Sequence, residues 1–241
     1  MGHILVTGSS RGIGRAALSA LAARGAKVIG HASRSGLSAG SGVPMIAADF
    51  ADPLSVQTLW DQALDIANGE IDAVVNNAGR FEANRLDRSD IEWLDAWEDT
   101  LRVNLTSAAQ LARFAVLHWQ NRAFAGRLVH VASRAAYRGD SPAHWHYAAA
   151  KSGMVGMHKT IARAYAGQGI LSFAVTPGFT DTSMAGDYLA TRGGPGLLAD
   201  IPLGRVATPE EIAAIIAFCA LDAPPSMTGA VIDANGASFV R

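Results

Sequence analysis

A strand that breaks through glycines into a helix stands at the start of this chain, and few folds accommodate it. His3-Ile4-Leu5-Val6-Thr7 is a short run of strand formers. It is interrupted at Gly8-Ser9-Ser10-Arg11-Gly12-Ile13-Gly14, and a helical pattern follows from Arg15 to Ala23. In such a turn the backbone can approach a ligand closely, and the helix N-terminus offers unpaired N–H groups at the positive end of its dipole. The alternation then continues along the chain. Strands are expected at 3–7, 26–31, 44–48, 71–76, 127–132, 170–176 and 230–233. Helices are expected at 12–24, 53–67, 95–124, 146–167 and 209–220, with a short one near 183–190. Asp52-Pro53 and the capping box Thr208-Pro209-Glu210-Glu211 mark two helix starts. Strands alternating with helices imply a parallel sheet covered on both faces. The Gly- and Ser-rich stretch 33–43 is too short for a full crossover helix, so one helix there is reduced or missing.

With 241 residues and 49% apolar side chains, the chain can bury one substantial core, so residues 1–241 are expected to form a single domain. A net charge of −1 gives no electrostatic case for nucleic acid or an anionic membrane. No apolar run reaches the ~20 residues of a membrane span. The first strand begins by residue 3, which leaves no room for a targeting peptide, so a cytoplasmic protein is expected. The lone Cys219 sits in an apolar helical pattern, reads as a buried core thiol and fits a reducing compartment. His144-x-His146 lacks a third ligand at a recognisable spacing, so no metal is expected.

Chemistry enters at Tyr147-Ala148-Ala149-Ala150-Lys151. Residues at i and i+4 share a helix face, so phenol and ammonium point to one place. A free tyrosine titrates near ~10, and a neighbouring cation lowers that value toward neutrality. The pair therefore suits general acid/base work. By itself the spacing would equally describe a solvated helix face, and a glycine turn spaced Gly-x-x-x-Gly-x-Gly would equally be a tight turn. Together with Asn76-Asn77-Ala78-Gly79, Asn104, Ser133 and Pro177-Gly178, in order along nearly the whole chain, the sequence resembles the short-chain dehydrogenase/reductase family.

The resemblance implies a single-domain Rossmann-type doubly wound parallel sheet of about seven strands with helices on both faces. It also implies hydride transfer between a nicotinamide and a carbonyl/alcohol pair. Tyr147 would be the proton donor or acceptor, and Ser133 would hydrogen-bond the reacting oxygen. Lys151 would lower the Tyr147 pKa and hold the nicotinamide ribose, while Asn104 would hold a water that relays protons to Lys151. The expected cofactor residues begin with the glycine turn at Gly8, Ser10, Arg11, Gly12, Ile13 and Gly14. Asp49-Phe50 would meet the adenine, and Asn76, Ala78 and Gly79 would lie along the adenosine side. Pro177, Gly178, Thr180 and Thr182 would pass the nicotinamide carboxamide.

Cofactor choice can be read at the second strand, Val28-Ile29-Gly30-His31-Ala32-Ser33-Arg34. A carboxylate at its end would take the adenosine ribose hydroxyls and favour NAD. None is present. Ser33 and Arg34, with Arg11, could instead hold a 2′-phosphate, so NADP is expected, with NAD as the alternative.

Specificity is expected in two loops: Arg134 to His146, carrying Tyr137, His144 and Trp145, and Ser183 to Leu203. Within the family the sequence is most similar to the 3-oxoacyl-carrier-protein reductase group. Two positions at which those enzymes carry basic docking residues are Phe124 and Gln168 here, so a small free carbonyl substrate is expected. The alternatives are an NAD-linked alcohol or sugar dehydrogenase and a nucleotide-binding regulator without turnover. The four intact catalytic positions argue against the regulator. Helices of this family pair between subunits, so a homotetramer is expected, with a dimer next.

Overall fold

The computed structural model describes residues 2–37, 42–182 and 194–241. Its centre is a seven-stranded, all-parallel sheet in the order β3-β2-β1-β4-β5-β6-β7. The strands are β1 (His3–Val6), β2 (Lys27–Ala32), β3 (Met45–Ala47), β4 (Ile71–Asn76), β5 (Gly126–Val131), β6 (Ile170–Pro177) and β7 (Val231–Ala234). All seven were expected, to within a residue or two, because strands covered on both faces read as nearly continuous apolar runs.

The helices are α1 (Gly12–Ala23), α2 (Ser55–Ile66), α3 (Asp90–Leu101), α4 (Ser107–Arg122), α5 (Ala135–Arg138), α6 (Trp145–Tyr165), α7 (Gly194–Ala199) and α8 (Pro209–Leu221). Helices α1 and α8 pack together and cover one face of the sheet, where Leu18, Leu21, Ile212 and Ile216 meet Val6, Val75 and Phe173. On the other face Leu59, Trp60, Leu111 and Trp119 from α2 and α4 bury Leu5, Ile29, Val74 and Leu128. Strand order reverses between β1 and β4, the point at which doubly wound sheets open a crevice beyond the strand ends.

Several expected elements differ. The helix expected over 95–124 is three segments: α3, a π-helical turn over Arg102–Thr106, and α4. It begins earlier because Ser89 and Glu92 form a reciprocal capping box, the signal that correctly marked Thr208 and Glu211. Helix α2 starts at Ser55, because Asp52 spends its carboxylate on a local turn, accepting from Leu54 N–H at 2.9 Å. Between β2 and β3 no helix occurs among the described residues, as the short connection required. The short helix expected near 183–190 lies outside the described residues.

Candidate active site

At the reversal point Thr7 joins two strand ends. Its hydroxyl oxygen accepts from the N–H groups of Asn77 (2.9 Å) and Ala78 (3.0 Å). The Asn77 amide donates back to the carbonyls of Thr7 (2.9 Å) and Gly8 (3.1 Å). These bonds draw the glycine turn against β4 and explain its spacing. Gly8 adopts φ +62°, and a Cβ there would lie 2.7 Å from Ala78 Cα. A Cβ on Gly14 would lie 2.3 Å from the Gly8 carbonyl oxygen. Arg11, the N-cap of α1, is extended and makes no side-chain cap bond, and the first turn holds no acidic residue. The helix does not satisfy its own N-terminal donors, so that end of the cleft suits an anion.

The cleft encloses about 380 Å³, within the range of small-molecule sites. Its lining includes Gly8, Ser10, Arg11, Gly12, Ile13, Gly14, Ser33, Asp49, Phe50, Ala78 and Gly79 on one side. Ser133, Tyr147, Lys151, Pro177, Gly178, Thr180 and Thr182 line the other. Two expected cofactor residues are not brought into the lining. Asn76 is buried beneath it, with its amide near the Ala108 carbonyl (3.4 Å) and His130 Nδ1 (3.3 Å), and the neighbouring Asn77 reaches the cleft instead. Arg34 is exposed beyond the end of β2 and does not line the cleft.

At the far end, Ser133 starts the short helix α5 by accepting from Ala135 N–H at 3.1 Å, and its hydroxyl is near enough to Tyr147 to lower the phenol's pKa. Lys151 is buried, donates to the Val131 carbonyl at 2.8 Å, and lies 5.7 Å from the centre of the Tyr147 ring. Asn104 occupies the π-helical turn, where its amide accepts from Arg80 N–H (2.8 Å) and donates to the Arg80 carbonyl (2.9 Å). A Cβ on Gly79 would sit 3.3 Å from Asn104 Oδ1 and 3.7 Å from Lys151 Nζ, so those two side chains converge behind Gly79.

Electrostatics here differ from the sequence expectation. Burial pushes the Tyr147 phenol up to about 12, against the lowering effect of Ser133 and with a further push from Asp140. Burial also brings Lys151 down to about 8. A lysine with partly lost hydration, bound to a carbonyl, does not hold the phenol near neutrality. Tyr147 is therefore protonated at pH 7.

Linkage gives a measurable sign. Lys151 titrates lower folded than unfolded, so the unfolded chain binds more protons above pH 8, and this residue makes stability rise with pH there. Tyr147 and Cys219, both raised by burial, act with the opposite sign in higher windows, from about 10 to 12 and from about 9 to 11. Chemical denaturation at pH 8 and 9 should thus show a rise that Lys151→Met lacks, worth up to about 1 kcal/mol. Equal slopes in the two proteins would contradict the buried, depressed Lys151.

Phe81 and Glu82 in the lining were not foreseen, whereas Arg134 and Asp140 lie within the expected specificity loop. Phe81 stacks on His144 at 3.9 Å and meets Tyr147 edge-on at 4.8 Å. Arg134 lies over the Phe179 ring at 4.8 Å, and Glu82 and Asp140 also face the cleft. The signal for the two missed residues was position, since Phe81 and Glu82 follow the Gly79 turn. Of the aromatic residues expected to shape specificity, Trp145 is 53% exposed and does not line the cleft. Tyr137 stacks on Phe239 away from the cleft. His146 is buried at the start of α6, where its Nδ1 accepts from Tyr147 N–H at 2.9 Å. Residues 183–193 of the second expected specificity loop lie outside the described residues. No described helix is long and apolar enough to cross a membrane.

Comparisons place these features among known proteins. The family model described as "Enoyl-(Acyl carrier protein) reductase" matches residues 8–236. The chain is 37% identical to the 3-oxoacyl-[acyl-carrier-protein] reductase of Escherichia coli K12, over 98% of this chain and 96% of that protein. It is 35% identical to the Synechocystis enzyme of the same name, over 96% and 94%. A crystal structure from Agrobacterium tumefaciens, assigned provisionally as a 2-deoxy-D-gluconate 3-dehydrogenase with bound NADP, superposes with a TM-score of 0.87. That structure shares 28% identity with this chain, covering 100% of it and 97% of the other.

Proposed function

The chain belongs to the short-chain dehydrogenase/reductase family, and from that premise we propose that it reduces a small ketone or 3-oxoacyl-type carbonyl with NADPH. The observation that carries this reading is the gathering of Ser133, Tyr147 and Lys151 in one cleft with the glycine turn, with Asn104 beside Lys151. NADPH supplies the hydride. Residues 1–241 act as one catalytic domain.

The glycine turn and the uncapped start of α1 suit the pyrophosphate, and Lys151 would hold the nicotinamide ribose. Tyr147 then gives its hydroxyl proton to the carbonyl oxygen, while Ser133 hydrogen-bonds the same oxygen as charge builds on it. A phenol held near 12 is protonated at neutral pH, so the proton to be given is in place. Lys151, near 8, carries a proton at neutrality and gives it up readily. It is thus suited to restore Tyr147, with Asn104 fixed beside it to hold a relaying water.

Absence of a carboxylate at the end of β2, with Ser33 and Arg11 in the cleft and Arg34 nearby, supports NADP over NAD. Titration of the purified protein should give a Kd for NADPH at least about tenfold below that for NADH, since hydrogen bonds to a charged group contribute ~1.5–3 kcal/mol. Equal or tighter NADH would replace this reading with an NAD-linked alcohol or sugar dehydrogenase.

Phe124 and Gln168 carry no charge for docking an acidic carrier protein, which supports a free small substrate. The reading extends to a cytoplasmic homotetramer, with a dimer next, supported by exposed Leu117 and Phe124 along and beyond α4. A monomer by light scattering would remove the oligomeric part.

A further inference from the structure

His31, near the end of β2, is buried in the cleft wall and has no task in the proposed reaction. Its ring nitrogens are both engaged. Nδ1 accepts from Gly8 N–H at 3.0 Å, and Nε2 lies 2.8 Å from the Ala48 carbonyl oxygen. A carbonyl can only accept and a backbone N–H can only donate, so Nε2 carries the proton and Nδ1 the lone pair. The main chain adds a second tie: His31 N–H donates to Ser9 Oγ at 2.9 Å, and the His31 carbonyl accepts from Ser9 N–H at 2.8 Å. The ring also stacks on Phe50, with centroids 4.3 Å apart and planes 13° off parallel.

His31 thus connects the glycine turn after β1 to the residues after β3, two walls of the same end of the cleft. With both nitrogens used, the ring is no ligand for phosphate or metal. Because the Gly8 N–H is also taken, the anion must be met by the donors of the α1 first turn.

We propose that His31 is a positioning residue for the adenosine half of the cofactor, fixing the glycine turn and the Phe50 wall in register. The inference rests on the cofactor reading above. Burial keeps the ring neutral, at about 4, with Asp49 the charged neighbour that acts on it, so the brace is complete at neutral pH.

A matched set of variants tests it. His31→Asn keeps an oxygen where Nδ1 accepts from Gly8, His31→Gln reaches only toward Ala48, and His31→Leu removes both bonds. Calorimetry would give Kd for NADPH and for adenosine 2′,5′-diphosphate, with circular dichroism reporting the folded fraction. His31→Gln should weaken both ligands by the same factor, roughly 3- to 10-fold for one lost backbone hydrogen bond, and His31→Leu, which loses two, should weaken both by more. His31→Asn, which keeps the Gly8 bond but loses the Ala48 bond and the Phe50 stack, should weaken both ligands to the same extent as His31→Gln and less than His31→Leu. Wild-type affinity in His31→Leu, or a loss confined to NADPH, would overturn the brace. Should His31→Leu not fold, wild-type affinity in His31→Gln would do so equally. Wild-type protein binding neither ligand would instead overturn the cofactor reading.

Discussion

Tyr147→Phe should leave NADPH affinity within about twofold of wild type while turnover falls roughly 10²- to 10⁴-fold, the usual worth of a positioned general acid. Only the hydroxyl is lost. The phenyl ring keeps its edge contact with Phe81 and its place above Lys151, so the walls of the cleft stay as they are. Glycine turn and α1 are untouched, which is why binding survives. Raising pH cannot rescue the variant, because the missing group is a proton donor held near 12 and not a base waiting to be unmasked. Steady-state turnover with a ketone panel, paired with fluorescence titration of NADPH, separates the two effects. Full turnover in the variant would remove Tyr147 from the chemistry. Loss of binding together with turnover would mean that the hydroxyl supports the fold of the cleft instead of the reaction.

What the sequence made legible divides along physical lines. Strands buried on both faces announce themselves as apolar runs, so β1 to β7 and their parallel arrangement could be expected before any coordinates, though not their order in the sheet. Contacts set by backbone reach were legible too: Gly8, Gly12 and Gly14 fall where a side chain would collide or where φ is positive. Helix starts were read unevenly, since Thr208 was noticed and the equivalent Ser89 was not. Long-range pairings stayed hidden. Nothing near His31 in the sequence announces that its ring meets Gly8 and Ala48, because both bonds depend on how β1, β2 and β3 lie side by side. The Tyr147–Lys151 spacing was read correctly as shared placement, yet the sign of the phenol shift was not. Desolvation depends on the walls supplied by distant residues such as Phe81, and burial outweighed the lowering effect of Ser133.

Gly14→Ala should abolish productive cofactor binding with a single added methyl group. Its Cβ would stand 2.3 Å from the Gly8 carbonyl oxygen and 2.5 Å from Asn77 Nδ2, both far inside contact distance. Neither neighbour can yield cheaply. The Gly8 carbonyl belongs to backbone, and Asn77 Nδ2 is already committed to the carbonyls of Thr7 and Gly8. The turn must therefore move away from α1, separating the strand-end link from the helix donors proposed to meet the anion. Overpacking of this kind costs about 1–3 kcal/mol of stability. Each charge-assisted hydrogen bond lost to the phosphate costs a further ~1.5–3 kcal/mol of binding. Together these predict a lower melting temperature and an NADPH affinity reduced by at least about 100-fold, read by thermal denaturation and titration of the folded protein. Gly167→Ala is the matched control, because a Cβ there meets nothing within 4 Å, and its stability should stay within about 0.5 kcal/mol of wild type. If Gly14→Ala binds NADPH like the control, close approach of α1 to the glycine turn is not what builds the anion site.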